Sequence, residues 1–365
     1  MLTRGIAEEI VKQTTIRLHR NINIMDGRGV IIASGDRKRM DTAHFGAMEV
    51  LRTGKPLFIY EKDLHQWEGA RPGINLPIEF QKKIIGVIGI TGDPDEMEEF
   101  SELVKMITEM MIQQSFMIEQ LEWKQRLKEL VFEDLRKDSS NRESVQQRLH
   151  LIGVKLEPPF QVSTVEVNSE KFHPRELVQL LEGGFDPEHT LAGILSTNRL
   201  FLLNSYLSEK KVKEKLLTLV DRYHSKGVFV RIGLGSNVDS TSYIGNSYEE
   251  SISALALGSK DQQFILYSDI ESKVLLDQLD PWYKQQFSER IIGSLSDKLM
   301  ETLEHFFLND LNLSETAKSL YIHRNSLLYR MKKIKEITGY DPQKFHHATT
   351  LQIAIWMDQM LKKVK

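Results

Sequence analysis

Between Lys318 and Lys335 the chain carries Lys318, Arg324, Arg330, Lys332, Lys333 and Lys335 with no acid among them. The same stretch holds His323, Asn325, Ser326 and Tyr329. These side chains suit one kind of chemistry. Arg and Asn can each make paired hydrogen bonds to guanine and adenine edges. Ser, Tyr and His suit phosphate oxygens or base edges. The run stands out because the chain as a whole has 51 acids against 48 bases, a net charge of −3. Any nucleic-acid surface must therefore be a local patch.

The surrounding residues indicate how these groups would be held. Leu313, Leu320, Ile322, Leu327, Leu328, Met331 and Ile334 supply apolar faces for two short helices joined by a tight turn. Ser314 stands before the first helical run and is expected to cap it. Ala317 is small where the two helices must approach closely. This leaves His323, Arg324, Asn325, Ser326, Tyr329 and Arg330 outward on the second helix, the arrangement that enters a major groove. The bland alternative is a solvated helical hairpin with a chance basic face.

Composition narrows the other options. A chain of 365 residues, 41% hydrophobic and 27% charged, suits a soluble protein of two or three domains. It has no cysteine, so disulfides, thiolate metal sites and a cysteine nucleophile are excluded, and a reducing cytosol suits it. No apolar run approaches a membrane span, and Met1-Leu2-Thr3-Arg4-Gly5 has no signal core. The glycines from Gly86 to Gly92 lie within a strand and lack a Gly-Lys-Ser/Thr ending, so they are not a nucleotide loop. His346 and His347 are adjacent and share no helix face. His-x-x-x-His zinc spacing and a Gly-x-Ser-x-Gly nucleophile elbow are both absent. No catalytic residue, metal or cofactor is expected.

The N-terminal region reads as a helix (Ile6, Ile10, Val11, Thr14), a hairpin at 21–34 turning at Asp26-Gly27-Arg28-Gly29, and a short helix with Ala43, Ala47, Val50 and Leu51 on one face. Strands follow at 56–60, 73–80 and 83–92. A long helix then runs from Asp95 to about Arg136, roughly 60 Å. Leu103, Ile107, Met110, Met117 and Leu121, with Gln114 filling one step, follow the 4-3 spacing of a coiled-coil seam. It reads either as a core helix or as a dimerising, signalling helix. Asp138-Ser139-Ser140-Asn141 marks a boundary. A second α/β region has strands at 159–167, 191–195, 199–203 and 228–235 and helices at 210–224 and 248–257. Two amphipathic helices at 282–309 lead into the two-helix segment. An apolar helix at about 344–361, with Ile353, Ile355 and Trp356, closes the chain. There is no internal repeat or low-complexity segment.

The segment from Thr316 to Arg330 closely resembles the C-terminal helix-turn-helix of the PucR/CdaR-type bacterial regulators, whose form is TAxxLxxHRNTLxYR. It departs once, with Ser326 for threonine, which keeps the hydroxyl. Gly73-Ile74-Asn75-Leu76-Pro77-Ile78 and the run from Ile85 to Gly92 resemble the sugar-diacid recognition domain of carbohydrate diacid regulators. The resemblance implies an α+β multidomain chain: a PAS-like sensor with a long linking helix (1–137), a degenerate GGDEF-like α/β domain (142–275) and an all-α helix-turn-helix domain (281–365). Where an active cyclase would carry its signature, this chain has Ser196-Thr197-Asn198-Arg199, with no paired carboxylates for Mg²⁺.

The resemblance further implies a cytoplasmic transcription regulator that binds double-stranded DNA as a homodimer or higher homo-oligomer. It would answer to a small carboxylate such as glycerate, glucarate or galactarate, and have no membrane partner. The expected DNA contacts are Ser314, Thr316, His323, Arg324, Asn325, Ser326, Tyr329 and Arg330. A carboxylate needs convergent donors. Arg71 to Pro77, stiffened by two prolines, offers them from a loop through Arg71, Gly73, Ile74, Asn75 and Leu76. The family pattern adds Ser34, Arg39 and His44. The bland readings are a surface Arg71, a His44 that caps or packs its own helix, and a glycine-proline strand connection. A metabolite-sensing interaction module with a vestigial helix-turn-helix is the alternative function.

Overall fold

The computed structural model describes residues 2–18, 20–67, 70–137, 142–168 and 173–363. The chain forms two compact units, residues 1–126 and 127–365.

The first unit is built on an antiparallel sheet of order β2-β1-β5-β4-β3. Its strands are β1 (Ile22–Asp26), β2 (Ile31–Ser34), β3 (Leu57–Ile59), β4 (Gly73–Phe80) and β5 (Lys83–Thr91), and its helices are α1 (Arg4–Leu18), α2 (Phe45–Thr53) and the start of α3 (Pro94–Arg136). Side chains alternate across a strand, so each strand serves both faces. Ile22, Ile24, Ile74, Leu76, Ile78, Ile88 and Ile90 pack with Ala7, Ile10 and Val11 of α1 and with Met97, Val104 and Ile112 of α3. Met25, Ile31 and Val87 face the other way, onto Ala47 and Val50 of α2. The first hairpin turns where expected: Asp26 Oδ1 accepts from the amides of Arg28 and Val30.

The segment containing Asn75 is therefore not a loop. β4 pairs along its length with β5, and Gly73–Asn75 also pairs with β3. Strand pairing occupies this backbone. Gly73 serves that pairing, because a Cβ there would lie 2.2 Å from the Ile90 carbonyl oxygen.

The second unit contains a sheet of order β10-β9-β6-β8-β7, antiparallel except for β9 with β10. Its strands are β6 (Phe160–Asn168), β7 (Thr190–Ser196), β8 (Arg199–Ser205), β9 (Phe229–Leu234) and β10 (Phe264–Leu266). One face carries Val165, Leu200, Leu202, Val230 and Ile232 under α5 (Pro174–Glu182) and α6 (Glu209–Ser225). The other carries Phe160, Val162, Leu191 and Phe201 under the end of α3, α4 (Arg142–Ile152) and α7 (Ile244–Leu257). The sequence reading had left α4, α5 and β10 unassigned. Phe132 of α3 stacks on Phe201 at 3.8 Å and meets Tyr248 edge-on at 5.6 Å.

After α8 (Tyr267–Asp277) the chain is helical: α9 (Pro281–Ile292), α10 (Asp297–Leu308), α11 (Leu313–Ser319), α12 (Arg324–Thr338) and α13 (Phe345–Lys363). Ile291, Leu303, Phe306, Ala317, Leu327, Met331, Ile334, Leu351 and Ile355 form their shared core.

Phe132 is fully buried at the join of three elements. Phe132→Ala should destabilise the second unit by about 3–5 kcal/mol, read as a lower urea midpoint for the tryptophan and tyrosine signals of residues 127–365.

Candidate nucleic-acid interface and ligand site

Helix α11 is capped by Asn312, whose Oδ1 accepts from the amides of Ser314 and Glu315. Ser314 lies inside the helix and is exposed, which corrects its expected capping role. Thr316 is fully buried and its hydroxyl donates to the Asn312 carbonyl, so its side chain is withheld from any partner. Ala317 is buried against α12 in the shared core. The turn runs through Tyr321, which is left-handed (φ 54°) and 96% exposed. That exposure marks Tyr321 as a candidate contact the sequence reading omitted.

Helix α12 begins at Arg324. His323 is its cap, with Nδ1 accepting from the Asn325 amide. Leu327, Met331 and Ile334 anchor the buried face. Arg324, Asn325, Ser326 and Tyr329 stand exposed on the other side, followed by Lys332 and Lys333. Leu328, expected in the core, is 38% exposed on this same side. Arg330 is partly buried and Nη1 donates to Thr302 Oγ1 at 3.0 Å, so it braces α12 against α10. The structure thus brings Arg324, Asn325, Ser326 and Tyr329 together and sets Thr316 and Arg330 apart.

In the first unit the expected ligand residues divide by strand face. Ile74 and Leu76 point into the apolar core with α1 and α3. They contribute no side chain to a polar site, and their backbone belongs to the sheet. Asn75 faces the α2 side. The register aligns Ser34, Asn23, Gly89 and Asn75 in one row across β2, β1, β5 and β4. Gly89 keeps the row open, since a Cβ there would lie 2.8 Å from Asn75 Oδ1. Ser34 Oγ donates to Asn23 Oδ1 at 2.6 Å and accepts from the Asp36 amide. Asn75 is only 4% exposed, and its side chain makes no hydrogen bond to the described residues.

Cationic and donor groups gather around this row. His44 is buried and caps α2, with Nδ1 accepting from the Ala47 amide at 3.1 Å. Its ring lies beside Gly46, which also approaches Leu57 and Ile59 of β3, the neighbour of β4. Burial, then the charge of Arg39, pushes the His44 pKa down to about 4. Burial, then the charge of Arg71, lowers that of Arg39. Arg71 donates to Asp36 at 3.0 Å. The Lys38 amide, followed by Arg71, holds the Asp36 carboxyl below its ordinary range. Two guanidiniums, one of them paired with Asp36, and a neutral imidazole lie within electrostatic reach of one another, a cluster that still favours an anion. Asn23, Asp36 and Gly89 belong to this arrangement but escaped the sequence reading. The alternation of β1 and β5 around the hairpin was the signal available.

Residues 2–135 match the family described as "Putative sugar diacid recognition". Residues 136–257 match the GGDEF-like domain, and residues 299–357 the PucR C-terminal helix-turn-helix domain. The chain is 31% identical to the carbohydrate diacid regulator of Escherichia coli K12, with 98% of each chain covered. The chain belongs to the carbohydrate diacid regulator family. It is also 29% identical to an uncharacterized protein of Haemophilus influenzae, over 98% of this chain and 99% of that one. With uncharacterized protein YsfB of Bacillus subtilis it shares 27% identity, over 98% of each chain.

As a member of this family the chain is a regulator with a sensor domain and a DNA-binding helix-turn-helix. The hairpin between β7 and β8 has Ser196-Thr197-Asn198-Arg199 at its tip. The nearby carboxylate, Glu166, is bridged by Arg199 at 3.2 Å and Arg231 at 3.0 Å. A carboxylate clamped by two guanidiniums is a structural tie rather than a metal ligand. Among the described residues no cluster of three His, Asp or Glu could hold a metal ion, and no helix is long and apolar enough to cross a membrane.

The depressed pKa of His44 has a stability consequence. Between its ordinary value of 6.5 and about 4 the unfolded chain takes up a proton that the folded chain refuses. The stabilisation is complete above the upper value and is lost as pH falls through that window, to about 3 kcal/mol. Urea denaturation of the intact chain at stepped pH should show this slope in the first unit's transition. His44→Asn should flatten it.

Proposed function

We propose that this chain is a cytoplasmic, ligand-responsive transcription regulator that binds double-stranded DNA through α12. Its effector is a small hydroxy acid or sugar diacid of the class of glycerate, glucarate and galactarate. It controls genes for the uptake or breakdown of that acid. The observation that carries the reading is the first turn of α12, where Arg324, Asn325 and Ser326 stand exposed above a fully buried Leu327. Arg324 and Asn325 read base edges, while Ser326, Tyr329, Lys332 and Lys333 hold the phosphates. His323 caps the helix that presents them. Arg330 and Thr316 hold the frame and Ser314 faces solvent on α11.

The effector lies over the polar row of the sensor sheet. Asn75 provides an unspent amide at one end of the row, and Ser34, tied to Asn23, closes the other end. Arg39, Arg71 and His44 supply charge and donors, and the amides of Phe45 and Gly46, which bond no described residue, stand at the α2 N-terminus beside His44. Gly73, Ile74 and Leu76 shape the strand behind Asn75. The name of the Escherichia coli relative supports a dicarboxylic effector. A single helix-turn-helix reads half a site, so two copies of the chain act together.

Arg324→Ala and Asn325→Ala should each cost about 1–3 kcal/mol on a cognate promoter fragment and relax base preference. Lys332→Ala should weaken all sequences alike and lower the salt slope by about one. Fragment binding titrated against salt separates these outcomes. Unchanged binding by both of the first variants would rule out α12 as the reader, and no DNA binding at low salt would favour an interaction module.

The effector is testable separately. A bound acid at about 100 times its Kd adds about 2.7 kcal/mol to the native state. One of glycerate, glucarate or galactarate should raise the melting temperature of the intact protein, and Asn75→Ala should abolish that rise.

A further inference from the structure

Helix α3 presents different faces to different surroundings. Met97, Ser101, Val104, Thr108 and Ile112 are buried toward the sheet of the first unit. On the opposite face Leu103, Ile107, Met110, Met117 and Leu121 are 48, 38, 61, 57 and 64% exposed. With Gln114 they keep the 4-3 spacing of a seam over about 27 Å of helix. Single exposed apolar residues are ordinary, but a continuous stripe at coiled-coil spacing is not.

We infer that this stripe is the dimer seam, pairing with the same stripe of a second copy of the chain, parallel and in register. The occupant follows from charge and from Gln114. Every residue of that face from 103 to 121 is uncharged, those beside the seam being Met106, Gln113 and Gln120. In a chain that is 27% charged, an uncharged strip lets two identical faces meet without like-charge repulsion. A partner of opposite charge would find nothing to pair with. Gln114 is the one polar residue of the seam. In a parallel, in-register pair it meets its own copy, and the two amides hydrogen-bond each other. In an antiparallel pair it would be buried against methionine with its amide unspent. A lone polar residue at such a position fixes register.

This deepens the proposed function, resting on its need for two DNA-reading units, and it names the surface that brings them together. The test runs on the full chain without DNA, so its failure leaves the reading of α12 standing. Loss of DNA binding by Arg324→Ala would equally leave the seam standing. Sedimentation should show a dimer. Met110→Glu with Met117→Glu should weaken it by about 100-fold or more, with circular dichroism unchanged because both side chains are more than half exposed in the single copy. The chain has no cysteine, so Gln114→Cys introduces a single thiol per copy. Mild oxidation should cross-link Gln114→Cys to its own copy, whereas Glu119→Cys, on the far side of the helix, should stay single. A monomer, or a dimer indifferent to the two glutamates, overturns the proposal. A dimer that the glutamates dissociate but that Gln114→Cys does not cross-link overturns its parallel register.

Discussion

A sheet covered by helices on both faces has no solvated side, so every polar side chain on its central strands must find a partner or be left with an unspent group. An orphaned buried donor or acceptor costs about 1–3 kcal/mol. In the second unit much of that demand is met internally. Thr164 and Ser251 hydroxyls share a bond at 2.6 Å, and Glu166 lies between Arg199 and Arg231. Among the described residues Gln161 Oε1, Ser163 Oγ and both polar atoms of Asn204 find no partner there. Gln161 and Asn204 are register partners and Ser163 follows on the same face of β6, a row of neutral groups that suits ordered water. The Asn75 row differs because Arg39, Arg71 and His44 gather around it. The same covered-sheet constraint thus yields one polar row among neutral groups and another beside charged ones.

The DNA-reading end obeys a related rule with the faces of a helix in place of those of a sheet. Leu327, Met331 and Ile334 tie α12 to a core built from α9, α10, α11 and α13. This frees the opposite face and holds its side chains in place. Two polar residues pay for that rigidity: Arg330 spends a guanidinium nitrogen on Thr302, and Thr316 its hydroxyl on Asn312. Neither contact is periodic in sequence, so both residues read as outward-facing polar groups until α10 and the preceding turn are in place.

Much of the rest was readable where a local rule decides. The first hairpin followed from Asp-Gly-Arg-Gly, and the sheet strands from their apolar runs. The cap of α11 was misread because Asn312 and Ser314 are both good caps two residues apart. The choice falls to Asp310 and Leu311, both left-handed (φ 49° and 62°), which turn the chain before Asn312. Gly73 to Phe80 reads as a strand, yet Arg71 to Pro77 also reads as a ligand loop because its glycine and prolines are loop residues. Gly73 is instead required by the close approach of β5. β3 ends opposite Asn75, so from Leu76 onward β4 is an edge on that side, where proline is tolerated. Once the segment is a strand, Ile74 and Leu76 must face away from Asn75.

Helix α3 shows why one sequence supports two opposed readings. A helix that buries one stripe shows a single apolar period, whereas α3 carries two on opposite sides. One, from Met97 to Ile112, belongs to its own sheet. The other, from Leu103 to Leu121, is left exposed. Superposed in sequence, the two stripes cancel much of the amphipathic contrast that distinguishes a core helix from a surface one. Only the 4-3 spacing of the exposed stripe separates them. A core of this unit's size has no use for seam spacing continued to Leu121, beyond the last core contacts of α3 at Ile112 and Phe116. The sequence spends apolar residues there where solvent would favour charge, and that is the mark of a surface meant to be covered.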